Sequence, residues 1–335
     1  MDLRIGVVGT GAIGRAHIQR LSEKINGCRV VAVSDLNAEV AGAIAEKYGA
    51  KYYADGAELI ASPEVDAVVV TAWDPAHAQF VLESIKNGKY VFCEKPLATE
   101  VEECKEIIEA EMKFGKRIVQ VGFMRRYAPD YNEMKRVIDA GLIGEPLMVH
   151  ARHRNMTHAA TMTSDMSIKN SGVHEIDVLR WLLDDDYESG QVLLPRQHSV
   201  SAKEGLQDPQ IMLLRTKKGI EIDVEIAQTS GYGYDIQCEV VGELGTVKLP
   251  DPARVETRLN CSCAHAIMPG WETRFPEAYD IEFQDWVDSV KADHITGPSS
   301  WDGYMACLTA TVLGECRVEG VRKPMNTPDC PEFYK

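Results

Sequence analysis

No apolar run in the 335-residue chain approaches the ~20 positions that a membrane-spanning helix needs. Positive charge is also in deficit, with 36 Lys and Arg against 51 Asp and Glu, a formal net charge of −15. Such a surface repels phosphate backbones and anionic bilayers, so neither nucleic acid nor membrane is expected as a partner. Asp2 and Arg4 sit where the apolar core of a secretory leader would begin, so no leader is expected and the location expected is cytoplasmic. Cys261-Ser262-Cys263 is the one close cysteine pair, and no second pair completes a zinc site. The nine cysteines are odd in number and scattered, which reads as reduced thiols. Internal repeats and low-complexity segments are missing as well. What is left is a globular protein, 45% hydrophobic and 26% charged, long enough for two domains.

Glycine is where the chain speaks first. An apolar strand expected over 5–8 runs into Gly9-Thr10-Gly11-Ala12-Ile13-Gly14, the spacing G-x-G-x-x-G. The first glycine permits the tight turn, the second lets a pyrophosphate approach the backbone, and the third lets the following helix pack closely. A second strand, over 30–33, ends in Ser34-Asp35, and Asp35 stands 21 residues after Gly14. A carboxylate there accepts bonds from ribose hydroxyls and repels a 2′-phosphate. Leu36 follows with no Lys or Arg beside it, so NAD is favoured over NADP.

Strand and helix then alternate. Helices are expected over 38–48, 76–87 and 101–114, and strands over 65–71, 90–93 and 118–121. That alternation predicts a doubly wound parallel sheet, a Rossmann domain over 1–121, with ligands outside the carboxyl ends of its strands. From 122 to 335 the pattern changes. Helices are expected over 129–140, 171–183, 278–292 and 301–319. Strands are expected over 146–153, 210–215, 220–227, 236–241 and 246–249, with hairpin turns at 217–219 and 242–245. This predicts an α+β domain with a large, mostly antiparallel sheet that offers a flat oligomer face. Its last helices are free to pack back on the first domain.

Cys93-Glu94-Lys95-Pro96-Leu97 follows a predicted strand. A lysine at that end of a strand is placed to polarise a hydroxyl or carbonyl oxygen. His174 and Asp177 lie three residues apart on one helix face and so reach the same cleft. His150, His153 and His158 do not make a metal site, because a strand puts His150 and His153 on opposite faces and no carboxylate completes the set. No metal is expected.

The glycine loop, Glu94-Lys95-Pro96 and His174-Glu175-Ile176-Asp177 resemble the Gfo/Idh/MocA oxidoreductases, and in particular those acting on inositols. The likeness covers nearly the whole chain. Its most specific strings are Gly122-Phe123-Met124-Arg125-Arg126-Tyr127 and residues 232–239. The resemblance implies NAD-dependent oxidation of a ring hydroxyl of a polyol such as myo-inositol. Hydride passes to the nicotinamide and the proton to His174, with Lys95 the catalytic lysine and Asn170 beside the base. It implies a cofactor site of Gly9, Gly11, Ala12, Ile13, Gly14, Asp35, Leu36, Thr71, Trp73, His77, Glu94 and Lys95. Substrate binding falls to Lys95, Met124, Arg125, His153, Asn155, Asn170, His174, Asp177 and Tyr234. A homotetramer and a cis Lys95–Pro96 bond are implied too. The alternatives within the resemblance are a scyllo-inositol or aldose dehydrogenase, and a non-catalytic cofactor-binding sensor. There is one departure. The inositol enzymes usually carry Asp four residues before the histidine, and here that residue is Asn170, which cannot hold an imidazolium as a carboxylate does.

Overall fold

The computed structural model describes residues 1–203, 205–251 and 253–335. The chain divides into two compact units. The first comprises residues 1–123, 279–307 and 329–335, and the second comprises 124–278 and 308–328.

In the first unit, strands β1 (Leu3–Val8), β2 (Cys28–Ser34), β3 (Lys51–Tyr53), β4 (Ala67–Val70), β5 (Tyr90–Glu94) and β6 (Val119–Gly122) form one sheet in the order β3-β2-β1-β4-β5-β6. Every pair is parallel. Helices α1 (Ala12–Glu23), α2 (Ala38–Tyr48), α3 (Gly56–Ala61), α4 (His77–Lys86) and α5 (Val101–Phe114) make the crossovers. The strand order reverses between β1 and β4, which is where such a sheet opens a crevice at its carboxyl edge. Burial on both faces explains the unbroken apolar run of β4. Ala67, Val68, Val69 and Val70 are all 0% exposed, as a strand covered by helices on either side requires. Sequence periodicity does not reveal β3 or α3, because three and six residues are too short to display a period.

The second unit begins with α6 (Pro129–Asp139) and β7 (Pro146–Arg154). It continues through α7 (Val173–Leu183), β8 (Tyr187–Leu193), α8 (Ser199–Lys203), β9 (Gln210–Thr216), β10 (Glu221–Ala227), β11 (Asp235–Gly242) and β12 (Thr246–Lys248). A separate hairpin of β13 (Ala253–Leu259) and β14 (Ser262–Ile267), then α9 (Trp271–Arg274), complete this stretch. Helices α10 (Pro276–Lys291) and α11 (Ser300–Glu319) and strand β15 (Lys323–Pro324) follow in the chain. The second sheet runs β12-β11-β7-β10-β9-β8-β15. It is mostly antiparallel, but β7 and β10 pair in parallel, because the chain leaves β7 through α7 before returning to the sheet.

Two local departures from the expected pattern bear on the site. The helix expected from residue 171 is preceded by a π-helical turn, Ser167–Gly172, and α7 proper starts at Val173. Gly172 lets this turn lie close to the sheet, since a Cβ there would lie 2.7 Å from Ile226 and 3.2 Å from Met212. Strand β8 carries no β-branched run and has Gly190 at its centre. A Cβ there would meet Met325 at 2.4 Å and Leu313 at 2.8 Å, so close packing excludes the residue types that signal a strand.

Candidate functional site

The first unit carries the dinucleotide half. Gly9 leaves β1 at φ 101°, and a Cβ on it would lie 2.4 Å from the Thr71 carbonyl at the end of β4. A Cβ on Gly14 would lie 2.2 Å from the Gly9 oxygen. Gly11 is different, for nothing stands within 4 Å of its missing Cβ. It is the N-cap of α1 and supplies no side-chain cap, whereas Asn37 caps α2 and Asp55 caps α3. The loop is thus tight at its first and third glycines and open at the second. A diphosphate fits that opening, against N–H groups at the positive end of the helix. Thr71 Oγ1 closes the turn by donating to the Gly9 oxygen at 2.7 Å. Ala12 and Leu36 are exposed, Ile13 is half-buried, and Trp73 is 79% exposed.

Asp35 accepts from Thr10 N at 2.5 Å, Thr10 Oγ1 at 2.9 Å and Asn37 N at 2.8 Å. Burial works against its charge, but these donors and the nearby Arg15 outweigh it and hold the carboxyl below its ordinary range. Arg15 is a cation that the sequence does not place beside Asp35. It arrives from α1 through the fold.

Glu94 is turned inward. It is 5% exposed, its Oε1 lies 2.7 Å from His17 Nε2, and its Oε2 accepts from Lys95 N at 3.1 Å. The carboxylate is therefore engaged in fixing the backbone that presents Lys95. Lys95 itself is half-buried, and the Lys95–Pro96 bond is cis. His77 is buried, with Nδ1 2.7 Å from the Pro96 oxygen and Nε2 3.0 Å from the Ala72 oxygen, so it ties the ends of β4 and β5 together. His17 escapes sequence reasoning. It is fully buried against Phe92, Tyr279 and Phe283, with Arg20 Nη1 2.8 Å from its Nδ1. Arg20 donates to that nitrogen and Nε2–H donates to Glu94, which is a fully bonded neutral imidazole.

Burial lowers the His17 pKa, with Arg20 adding to it against the pull of Glu94. The Glu94 pKa also ends below its ordinary value, because His17 and Lys95 outweigh burial. Both shifts have the same sign for stability. As pH falls through about 6.5 the unfolded chain takes up a proton that folded His17 refuses, and below about 4.5 Glu94 repeats this. The melting temperature is therefore expected to fall between pH 7 and 5, and His17→Gln to flatten that slope. An unchanged slope in a pH series of thermal melts would remove His17 as the cause.

The second unit carries a polar cluster. Arg125, Glu175, His153, Asp177 and Tyr234 are each less than 5% exposed. Arg125 Nη1 pairs with Glu175 Oε1, and Glu175 Oε2 lies 2.9 Å from His153 Nδ1. Burial disfavours the Glu175 charge, but Arg125 and His153 outweigh it and hold the carboxyl below its ordinary range. Arg126 grips Asp177 in two-point fashion, Nε–Oδ2 3.0 Å and Nη2–Oδ1 2.5 Å. The Tyr234 ring stands edge-on to His153, centroids 5.7 Å apart at 87°. His174, half-buried in the first turn of α7, lies 6.3 Å from His153 by ring centroids. Asn170 sits in the π turn, Met124 is 1% exposed, and Asn155 donates to Gln228 Oε1 at 2.8 Å.

Glu175 and Arg126 are not singled out by sequence reasoning, although both lie inside the motifs that are. Arg125 is engaged by both Glu175 and His153. His150 is exposed and pairs with Asp223 on the opposite face of β7 from His153. Among the described residues, one trio with metal-ligand chemistry comes together, Glu256, Cys263 and His265 on the exposed β13–β14 hairpin, with ligand atoms within 4.8 Å of one another. Arg258 Nε holds Glu256 at 2.5 Å there.

Known proteins share this architecture. The model of the oxidoreductase family with an NAD-binding Rossmann fold matches residues 3–123, and that of its C-terminal alpha/beta domain matches 135–320. The inositol 2-dehydrogenase of Pseudomonas fluorescens is 51% identical over 336 residues, covering 100% of both chains. Inositol 2-dehydrogenase 3 of Saccharopolyspora erythraea is 52% identical over 334 residues, covering 100% of this chain and 98% of that one. The crystal structure of myo-inositol dehydrogenase from Lactobacillus casei, in complex with NAD(H) and myo-inositol, superimposes with a TM-score of 0.97 at 40% identity, covering 100% of each chain. With both halves of its length matched and relatives this similar from end to end, the chain belongs to the Gfo/Idh/MocA oxidoreductase family.

Proposed function

We propose that this chain is an NAD-dependent inositol dehydrogenase, which oxidises a ring hydroxyl of myo-inositol to the inosose. The observation that carries this reading is the end-to-end likeness to the Lactobacillus casei enzyme holding NAD(H) and myo-inositol. Bound NAD supplies the acceptor for the hydride that leaves the carbinol carbon. The chain's own groups do the rest. His174 takes the hydroxyl proton as general base, and Lys95 offers an N–H donor and a positive charge to the oxygen as it loses that proton. Asp177 and His153 bond the remaining hydroxyls, and such a site rejects analogues lacking them because its buried polar groups would be left unpaired. The test is a panel of myo-inositol, scyllo-inositol and aldoses with NAD and NADP, followed at the absorbance of reduced nicotinamide. Fastest oxidation of myo-inositol is expected. Preference for an aldose or scyllo-inositol would move the chain to a sister activity, and no oxidation at all would make it a cofactor-binding sensor.

NAD is expected to bind at least about tenfold more tightly than NADP, because Asp35 repels a 2′-phosphate at a cost above ~1.4 kcal/mol. Asp35 carries its charge firmly, through Thr10 and Asn37. Replacing Asp35 with Ser and Ala12 with Lys removes the repulsion and adds a cation, with Arg15 already at hand, and preference is expected to shift toward NADP. Equal affinities for the two cofactors in a titration of the parent protein would refute this.

The reading extends to a homotetramer built on the exposed face of the second sheet. His150–Asp223 and Arg154–Glu225 pairs lie on that side of β7 and β10. Sedimentation equilibrium tests it. A cytoplasmic location accords with nine cysteines that are all free thiols. No helix among the described residues is long and apolar enough to cross a membrane.

A further inference from the structure

Glu175, Arg125 and His153 form a buried group whose hydrogen atoms can be assigned from chemistry. His153 Nδ1 has two neighbours, Glu175 Oε2 at 2.9 Å and Arg125 Nη2 at 3.2 Å. Arg125 can only donate, and an ionised carboxylate can only accept. Nδ1 cannot satisfy both, because it either carries a proton or presents a lone pair. The carboxylate is the nearer neighbour, and Arg125 already has a partner in Glu175 through Nη1. Nδ1 therefore carries the proton. In a neutral imidazole so protonated, Nε2 is left as an acceptor. Two rings pack around the His153 ring, Tyr234 edge-on with centroids 5.7 Å apart and His174 with centroids 6.3 Å apart. Among the described residues, Arg125, Glu175, Tyr234 and His174 are ionisable or charged groups that face His153.

We propose that Glu175 is a positioning residue for substrate recognition: it locks His153 in the Nδ1–H tautomer, so that Nε2 accepts a hydrogen bond from a polyol hydroxyl next to the one facing His174. This rests on the reading of the chain as a polyol dehydrogenase and names what in the site tells a hydroxyl donor from a group that only accepts. Arg125 completes the device. Its charge keeps Glu175 ionised in a place where burial would otherwise neutralise it, and a neutral Glu175 could no longer dictate the tautomer.

The experiment uses the NAD-bound enzyme labelled with 15N-histidine, with the His153 signals assigned by their loss in His153→Gln. The expected spectrum shows Nδ1 protonated and Nε2 unprotonated, and myo-inositol shifts the Nε2 resonance. In Glu175→Gln the amide NH2 can donate to Nδ1. The tautomer is expected to reverse, and KM for myo-inositol to rise about fivefold or more, the worth of one hydrogen bond. NAD affinity is expected to be retained and kcat to change less than KM. A purely structural role would not reverse the tautomer. If Glu175→Gln does not fold, the spectrum of the parent protein decides alone. Nε2–H in the parent overturns the proposal, and so does an Nε2 signal indifferent to a polyol that the enzyme oxidises. An Nδ1–H signal in a protein that oxidises no polyol would uphold the tautomer and refute the functional reading instead.

Discussion

His174→Ala is expected to lower turnover on myo-inositol roughly 10²–10⁴-fold while NAD binding is retained. A positioned proton acceptor contributes about that factor, and the dinucleotide does not need it. His174 is half-buried at the start of α7, and its near neighbour is the His153 ring. Alanine has the highest intrinsic helix propensity, so α7 and the fold are expected to survive the change. Lys95→Ala is expected to act on turnover more than on folding. The bonds that shape its backbone, from Lys95 N to Glu94 and between His77 and the Pro96 oxygen, do not involve the Lys95 side chain. Cofactor titration and steady-state kinetics of the two variants separate binding from chemistry. Near-parental turnover in either one would refute the role assigned to that residue.

Asn170→Asp is expected to raise turnover on myo-inositol roughly 10-fold or more, in line with the usual worth of an acid–base group. Asn170 lies four residues before His174, within the π turn that leads into α7. With His174 as the proposed base, a carboxylate in that place is expected to stabilise the imidazolium that forms as the hydroxyl proton leaves, and to fix its tautomer. An amide can present either its oxygen or its NH2 group. In a serine protease, an Asp-to-Asn change beside the catalytic histidine costs about 10⁴ in turnover, which sets an upper limit. The effect here is expected to be smaller, because in the proposed mechanism Lys95 shares the support of the reacting oxygen. The pH profile gives the sign. An added anion favours the protonated histidine, so the acid limb of the Asp variant is expected to lie at higher pH than that of the parent. Profiles of both proteins on myo-inositol and scyllo-inositol check this. A parent that is already fast, with an Asp variant no faster, would mean that Asn170 belongs to a different substrate preference.

Local patterns make the first unit legible. Gly9, Gly11 and Gly14 announce a turn, an opening and a close helix contact, and each has its counterpart in the structure as a steric fact. The bounds expected for the helices over 38–48 and 101–114 coincide with the observed ones, because Gly49 and Gly115 end them in the left-handed conformation. Short elements leave no such mark. Strand β3 and helix α3 have too few residues for a period, and β8 hides behind Gly190, which is glycine for the sake of Met325 and Leu313 far along the chain.

The dinucleotide loop, the alternating strands and helices, and the residues that carry the family resemblance are readable along the chain, because they depend on neighbours within a few turns. Which polar groups hold one another follows only from folding. Glu94 turns to His17 across 77 residues, Arg126 takes Asp177 across 51, and Glu175 joins Arg125 and His153 from two other elements. Removing a charge from water carries a large cost that only an opposite charge or a hydrogen bond in the right place offsets. Those partners are chosen by proximity in the folded chain, and no spacing in the sequence records it.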